Sequence, residues 1–304
     1  MSNLLNTDLF YVATNLVPVL PNLTKKRVFL TGGTGFVGTW LTETFAVMNR
    51  TMELEAELVA LTRKDMLSTD PAVKFVRGDV RDFEFPEGKF EYVIHAAADY
   101  RAEPKEVFSI NVDGTKRVLE FAKEKGVKRM VFTSSGAVYR ANLMKYMDPR
   151  MAYGESKRTA EMMCVLSDVE TRIARLWGFV GPCMPLDGPW AITKFIKEGL
   201  AGGPVKVSGG ANVTRSYLYA SEMIQGLWGM LLWDKANPVY NIGSSEPITI
   251  GALALLVASV CGCKIEATPG DYPDDVYVPP PGPKPNIGLR EAIERTVAWH
   301  KEQK

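Results

Sequence analysis

Short apolar runs alternate along this chain with longer stretches whose apolar side chains fall on one helical face. Val28-Phe29-Leu30 is the clearest of the short runs. It is β-branched or aromatic and carries no charge, which suits a strand buried on both faces of a parallel sheet. Leu58 to Leu61, Lys74 to Asp79, Tyr92 to His95, Arg129 to Ser135, Thr171 to Trp177 and Val239 to Gly243 read as further strands. Trp40 to Met48, Asn111 to Lys123, Ile250 to Val260 and Leu289 to Lys301 read as helices, and Asp8 to Ala13 as a short one. Asp274 to Pro285 holds five prolines. Each removes a backbone donor, so irregular chain is expected there.

The first strand runs into Thr31-Gly32-Gly33-Thr34-Gly35-Phe36-Val37-Gly38. Gly32, Gly35 and Gly38 fall at the three-residue spacing that a strand-turn-helix unit for a dinucleotide requires. The first allows the tight turn, the second lets a pyrophosphate approach the backbone, and the third lets the helix lie close on the strand. The phosphates are expected on the N–H groups at the start of that helix, around Phe36 and Val37, where the helix dipole favours negative charge. The second strand ends in Thr62-Arg63-Lys64, where NAD-binding units place an acid for the ribose 2′-OH. A guanidinium there suits the 2′-phosphate of NADP, to which it offers a charge-assisted fork.

Composition narrows the classes. Thirty-six basic and thirty-five acidic residues leave a net charge of +1, so bulk charge implies no polyanion surface and nucleic acid is not an expected partner. Four cysteines are too few for a disulfide framework and lack zinc-site spacing, so no metal is expected and a reducing, cytoplasmic setting fits. No apolar run reaches the roughly 18 residues of a membrane span.

A second motif, Tyr153-Gly154-Glu155-Ser156-Lys157, follows about half a sheet after the glycine turn. Together the two resemble the extended short-chain dehydrogenase/reductase superfamily and, within it, the NAD-dependent epimerase/dehydratase family that acts on nucleotide sugars. The resemblance spans about Arg27 to Trp299. It implies a Rossmann-type doubly wound parallel sheet with a smaller C-terminal substrate-binding lobe. The expected layout is an extension over 1–25, the cofactor domain over 26–177, and a lobe built mainly from 178–304. Strands near 213–219 and 238–243 are expected to return to the sheet.

The resemblance also assigns roles. Asp79 and Val80 would meet the adenine, and small Ala96 and Ala97 would let the cofactor ribose lie against the backbone. An Asn in the helix from Asn111 would stabilise the active-site architecture. Ser135 would be the catalytic hydroxyl, with Ser134 and Thr133 as alternatives because three hydroxyls are adjacent. Arg215 would meet the nucleotide diphosphate, with Lys194 assisting. A homodimer is implied, paired through helices over Glu106 to Lys123 and Tyr153 to Leu166. Where the family carries a substrate-positioning Asn, this chain has Gly178. His95 is read as structural.

Tyr153 and Lys157 stand four apart on one helix face. An ammonium and a positive nicotinamide both favour the phenolate of a group whose ordinary pKa is near 10. Tyr153 is then the proton-transfer group, and Lys157 tunes it and holds the nicotinamide ribose. The family's 4,6-dehydratases carry Asp-Glu directly after the catalytic hydroxyl, and its sugar-acid decarboxylases a Glu. This chain has Gly136-Ala137. Simple hydride transfer at C4 of an NDP-hexose remains, as a 4-ketoreductase using NADP in preference to NAD, or as a 4-epimerase retaining NAD. A third reading, an NADP-sensing regulator, usually loses the Tyr-Lys pair.

Overall fold

The computed structural model describes residues 3–142, 151–268, 270 and 275–303. Its contacts divide the chain into two units, one formed by Leu9–Leu176 with Ile224–Asn241, the other by Met1–Asp8, Trp177–Met223 and Ile242–Lys304.

The first unit is built on β1 (Arg27–Thr31), β2 (Glu57–Thr62), β3 (Val73–Arg77), β4 (Tyr92–His95), β5 (Arg129–Ser135) and β6 (Thr171–Leu176). These pair in parallel in the order β3-β2-β1-β4-β5-β6, the doubly wound arrangement in which the chain reverses direction beside β1. Such an order leaves a crevice outside the carboxyl ends of β1 and β4. Val28, Phe29 and Leu30 are fully buried, as an uncharged strand at the centre of a parallel sheet must be.

Around the sheet run α1 (Asn3–Leu16), α2 (Phe36–Thr51), α3 (Pro104–Glu124) and α4 (Ala152–Val165). Phe29 anchors an aromatic cluster, its ring centroid 4.4 Å from Phe121, 5.3 Å from Phe83 and 5.9 Å from Phe90. Rings at these separations hold α3 against the strands through area burial and edge-face geometry. Two arginines are buried on neighbouring strands. Arg129 donates to Leu231 O at 2.9 Å and Arg172 to Met230 O at 2.6 Å, with Glu170 and Asp234 as counter-ions. They satisfy carbonyls in the last turn of α6 (Ala220–Leu232), where the dipole favours a cation.

The second unit carries β7 (Phe179–Val180), α5 (Ala191–Leu200), β8 (Val205–Ser208), β9 (Thr214–Arg215) and β10 (Leu218–Tyr219). After β11 (Val239–Ile242), which flanks β6 in the large sheet, come β12 (Ile248–Thr249), α7 (Ile250–Cys261), β13 (Ile265–Thr268), β14 (Val276–Tyr277) and α8 (Leu289–Glu302). Thr249 caps α7 by accepting from Ala252 N at 3.2 Å, and Gly262 ends it at φ +68°, a conformation open to glycine without strain. Asp8 of α1 is buried between Tyr219 and Arg295, and both donate to its carboxylate.

Several expectations are corrected. Residues 213–219 do not enter the large sheet. They split into β9, which pairs β12 and β14, and β10, which pairs β7. Irregular chain after residue 274 is interrupted by β14, because Val276 and Tyr277 find free edge partners on β9; Asp274 itself lies outside the described residues. Asn111 does not open a helix but lies two turns inside α3, whose first residue is Pro104, a position where proline's missing N–H is harmless. The N-terminal helix extends well beyond 8–13, since Leu5 and Leu16 are buried along with Leu9 and Val12.

Candidate functional site

Gly32 adopts φ +77°, and a Cβ there would stand 2.8 Å from Ala97 N and 2.9 Å from Ala96 O. The turn after β1 therefore packs directly on the exit of β4. A Cβ on Gly38 would stand 2.1 Å from Gly32 O, so only glycine lets α2 lie this close to the turn. Gly35 differs. A Cβ there would meet only Gly32 O, at 3.5 Å, so this glycine is not required by packing inside the protein. It is the N-cap of α2 and supplies no side-chain cap, leaving the first N–H groups, those around Phe36 and Val37, for an outside acceptor. This cradle fits a dinucleotide pyrophosphate.

Beside it, Val80 is buried against Gly114, where a Cβ would stand 2.8 Å from Val80 Cγ1. Asp79, just past the end of β3, is gripped by Arg81 through Nε and Nη2, each at 2.8 Å, and its carboxyl is held below the usual range by that pair. Arg63, at the end of β2, stands with Nη2 3.8 Å from Asp99 Oδ2 and is 65 % exposed.

The three adjacent hydroxyls of β5 are separated by their partners. Thr133 donates to His95 O at 3.0 Å, and Ser134 donates to the buried Glu161. Ser135 accepts from Ala137 N at 3.1 Å, which leaves its hydrogen to be directed elsewhere. Lys157 on α4 is 1 % exposed, donates from Nζ to Thr133 O at 2.8 Å, and lies 4.9 Å from the centroid of the Phe132 ring. Burial brings its pKa down from 10.5 to about 7. The ammonium expected to favour a phenolate is thus only partly populated at neutral pH. Tyr153, one turn earlier, is half-buried, with the Tyr100 ring edge-on at 6.4 Å between centroids. Ser156 donates to Tyr153 O and accepts from Asn111 Nδ2, both at 2.9 Å, tying α4 to α3, while Asn111 Oδ1 is buried with no protein partner.

His95 is a clamp. Thr115 Oγ1 donates to Asn111 O at 2.6 Å, so it must accept from His95 Nε2 at 3.0 Å. Thr31 Oγ1 accepts from Ala97 N at 3.1 Å and gives its hydrogen to His95 Nδ1 at 2.7 Å. The ring is therefore neutral with its proton on Nε2, and burial, with the Lys157 charge adding to it, takes its pKa down to about 3. It joins β1, β4 and α3 around the glycine turn.

Gly32, Arg63, Ala96 and Ser135 stand at the carboxyl ends of β1, β2, β4 and β5, with Tyr153 and Lys157 on α4. Lys194 and Arg215 belong to the other unit. Lys194 donates to Lys206 O at 3.3 Å. Arg215 pairs with Asp275 at 2.8 Å and also donates to Thr214 O and Asp275 O. Sequence reading passed over Glu161 and Tyr100. Glu161 accepts from Arg175 at 2.9 and 2.7 Å, and its spacing of four from Lys157 already put it on the same helix face. Tyr100 stands two residues after Ala98, the last of the small residues that follow β4.

The family model for the NAD dependent epimerase/dehydratase family matches residues 28–243. UDP-glucuronic acid decarboxylase 1 of Arabidopsis thaliana is 28 % identical over 94 % of this chain and 72 % of its own length. UDP-glucose 4-epimerase of Thermotoga maritima, solved with UDP-glucose, superposes with a TM-score of 0.75 at 21 % identity, covering 91 % of this chain and 99 % of that one. The Bordetella bronchiseptica enzyme WbmG, solved with NAD and UDP, superposes with a TM-score of 0.72 at 22 % identity, covering 92 % and 95 %.

Proposed function

The chain belongs to the NAD-dependent epimerase/dehydratase family, and from that premise we propose that it is a nucleotide-sugar oxidoreductase acting at C4 of an NDP-hexose, a 4-ketoreductase that draws on NADPH. The observation that carries this is the desolvated Lys157 on the same face of α4 as Tyr153, bonded to Thr133 O of β5, the strand on which Ser135 is the hydroxyl that donates to neither His95 nor Glu161. A dinucleotide held with its pyrophosphate in the glycine cradle would supply the hydride from its nicotinamide. Tyr153 gives the proton to the sugar oxygen, Ser135 holds that oxygen, and Lys157, titrating near 7, tunes the phenol and holds the cofactor ribose. Arg215, with Lys194 assisting, receives the nucleotide diphosphate.

Decarboxylation, the activity named for the plant relatives, is disfavoured because residue 136 is a glycine and offers no carboxylate beside Ser135. The 4-epimerase reading with retained NAD has one observation in its favour: Arg63 already leans on Asp99 rather than standing ready for a 2′-phosphate. A homodimer is supported by the outer face of α4, where Met162, Val165 and Leu166 are exposed. No described helix is long and apolar enough to cross a membrane.

Tyr153→Phe tests the assignment. It should keep NADPH binding and lose at least about a thousandfold in single-turnover rate, since only the transferred proton is removed. A variant within about tenfold of wild type would remove Tyr153 from its role.

A further inference from the structure

We propose that Asp99 restrains the preference for a 2′-phosphorylated cofactor by competing with that phosphate for Arg63; the inference rests on the reading that Arg63 meets the 2′-phosphate. Among the described residues, three carboxylates bear on the corner around Arg63. Asp65 is paired with Arg77 at 2.9 Å. Asp79, whose carboxyl feels the Arg63 charge, is neutralised by the two-pronged grip of Arg81. Asp99 is left facing Arg63, with Oδ2 3.8 Å from Nη2.

The two members of this pair differ in freedom. Asp99 Oδ1 accepts from Arg101 N at 2.8 Å and Ala102 N at 3.2 Å, and Asp99 O accepts from Asn111 Nδ2 at 3.4 Å. Its side chain is 20 % exposed, against 65 % for Arg63. The anion is fixed by the turn that precedes α3, and the cation is the partner able to swing. A phosphate that pairs with Arg63 must therefore displace a fixed carboxylate, and it comes to rest within about a Debye length, roughly 8 to 10 Å, of that negative charge. Both effects oppose NADPH. Neither touches NADH, whose ribose brings no charge to this corner.

Asp99→Asn keeps an oxygen for the Arg101 and Ala102 amides and removes the charge. Calorimetric titration of NADPH and NADH into the full-length protein, Asp99→Asn, Arg63→Ala and the double variant separates the possibilities. Asp99→Asn should tighten NADPH by about three- to tenfold and leave NADH within about twofold, the scale of an exposed ion pair, with most of the gain lost in the Arg63→Ala background. If Arg63→Ala leaves NADPH affinity unchanged, the reading of Arg63 and this inference both fall. If Arg63→Ala weakens NADPH but Asp99→Asn changes nothing, or shifts both cofactors alike, the inference alone is overturned and the reading of Arg63 stands.

Discussion

Lys157→Met should make the cofactor-free protein more stable while abolishing its activity. Lys157 is 1 % exposed, and its pKa falls from 10.5 in the unfolded chain to about 7 in the folded one. Below about pH 7 both states carry the proton, and the folded state bears the full penalty of a buried charge. Between about 7 and 10.5 the unfolded chain binds more protons than the folded one, so stability rises with pH. At about 1.4 kcal/mol for each pH unit separating the two states, the penalty at neutral pH is on the order of 4 kcal/mol.

Met is also unbranched and fills the same space without charge. It loses the 2.8 Å hydrogen bond to Thr133 O, which offsets about 1 to 3 kcal/mol. A net gain of about 1 to 3 kcal/mol at pH 7 corresponds to a rise of several degrees in Tm for a chain of this size. Thermal melts of both proteins without cofactor, from pH 6 to 10, measure it. The variant should lead at pH 6 to 7, and the gap should close as pH rises. A variant less stable at pH 6 to 7, or a gap independent of pH, would refute the claim that burial of a charge dominates at this position.

Two glycines of the cradle should behave oppositely. Gly38→Ala drives a Cβ to 2.1 Å from Gly32 O, a backbone atom that cannot yield, and should cost roughly 1 to 3 kcal/mol in a thermal melt. Gly35→Ala meets only ordinary contact inside the protein, so it should melt like wild type yet lose NADPH in a fluorescence titration; unchanged affinity would place the pyrophosphate elsewhere. Light scattering at micromolar concentration should return twice the chain mass, and Val165→Lys should lower it towards one; a monomeric wild type would remove the dimer reading of α4.

What the sequence carried best was local. The Val28 to Leu30 run and the glycine spacing specify a buried strand and a turn through their own chemistry, and both stand where expected. Which of Thr133, Ser134 and Ser135 carries the reactive hydroxyl is open in the sequence because three adjacent hydroxyls leave the register uncertain by one residue. Only Glu161 and the His95 carbonyl, distant in sequence, distinguish them. The low pKa of Lys157 was likewise illegible, since it arises from burial by other elements rather than from its own motif. Residues 213–219 do not join the large sheet because a strand-like segment by itself says nothing about which sheet edge receives it. The burial of Arg129 and Arg172 is not legible either, because the α6 carbonyls that receive them lie about 60 to 100 residues further along the chain.

Hydride transfer at C4 is tested most directly by incubating the purified protein with NADPH deuterated on the nicotinamide and a panel of 4-keto NDP-hexoses. One NADPH should be consumed per sugar reduced, with deuterium appearing at C4 of the product. If NADPH is untouched and the protein instead interconverts two NDP-hexoses with cofactor it already holds, the ketoreductase reading is contradicted and the 4-epimerase takes its place.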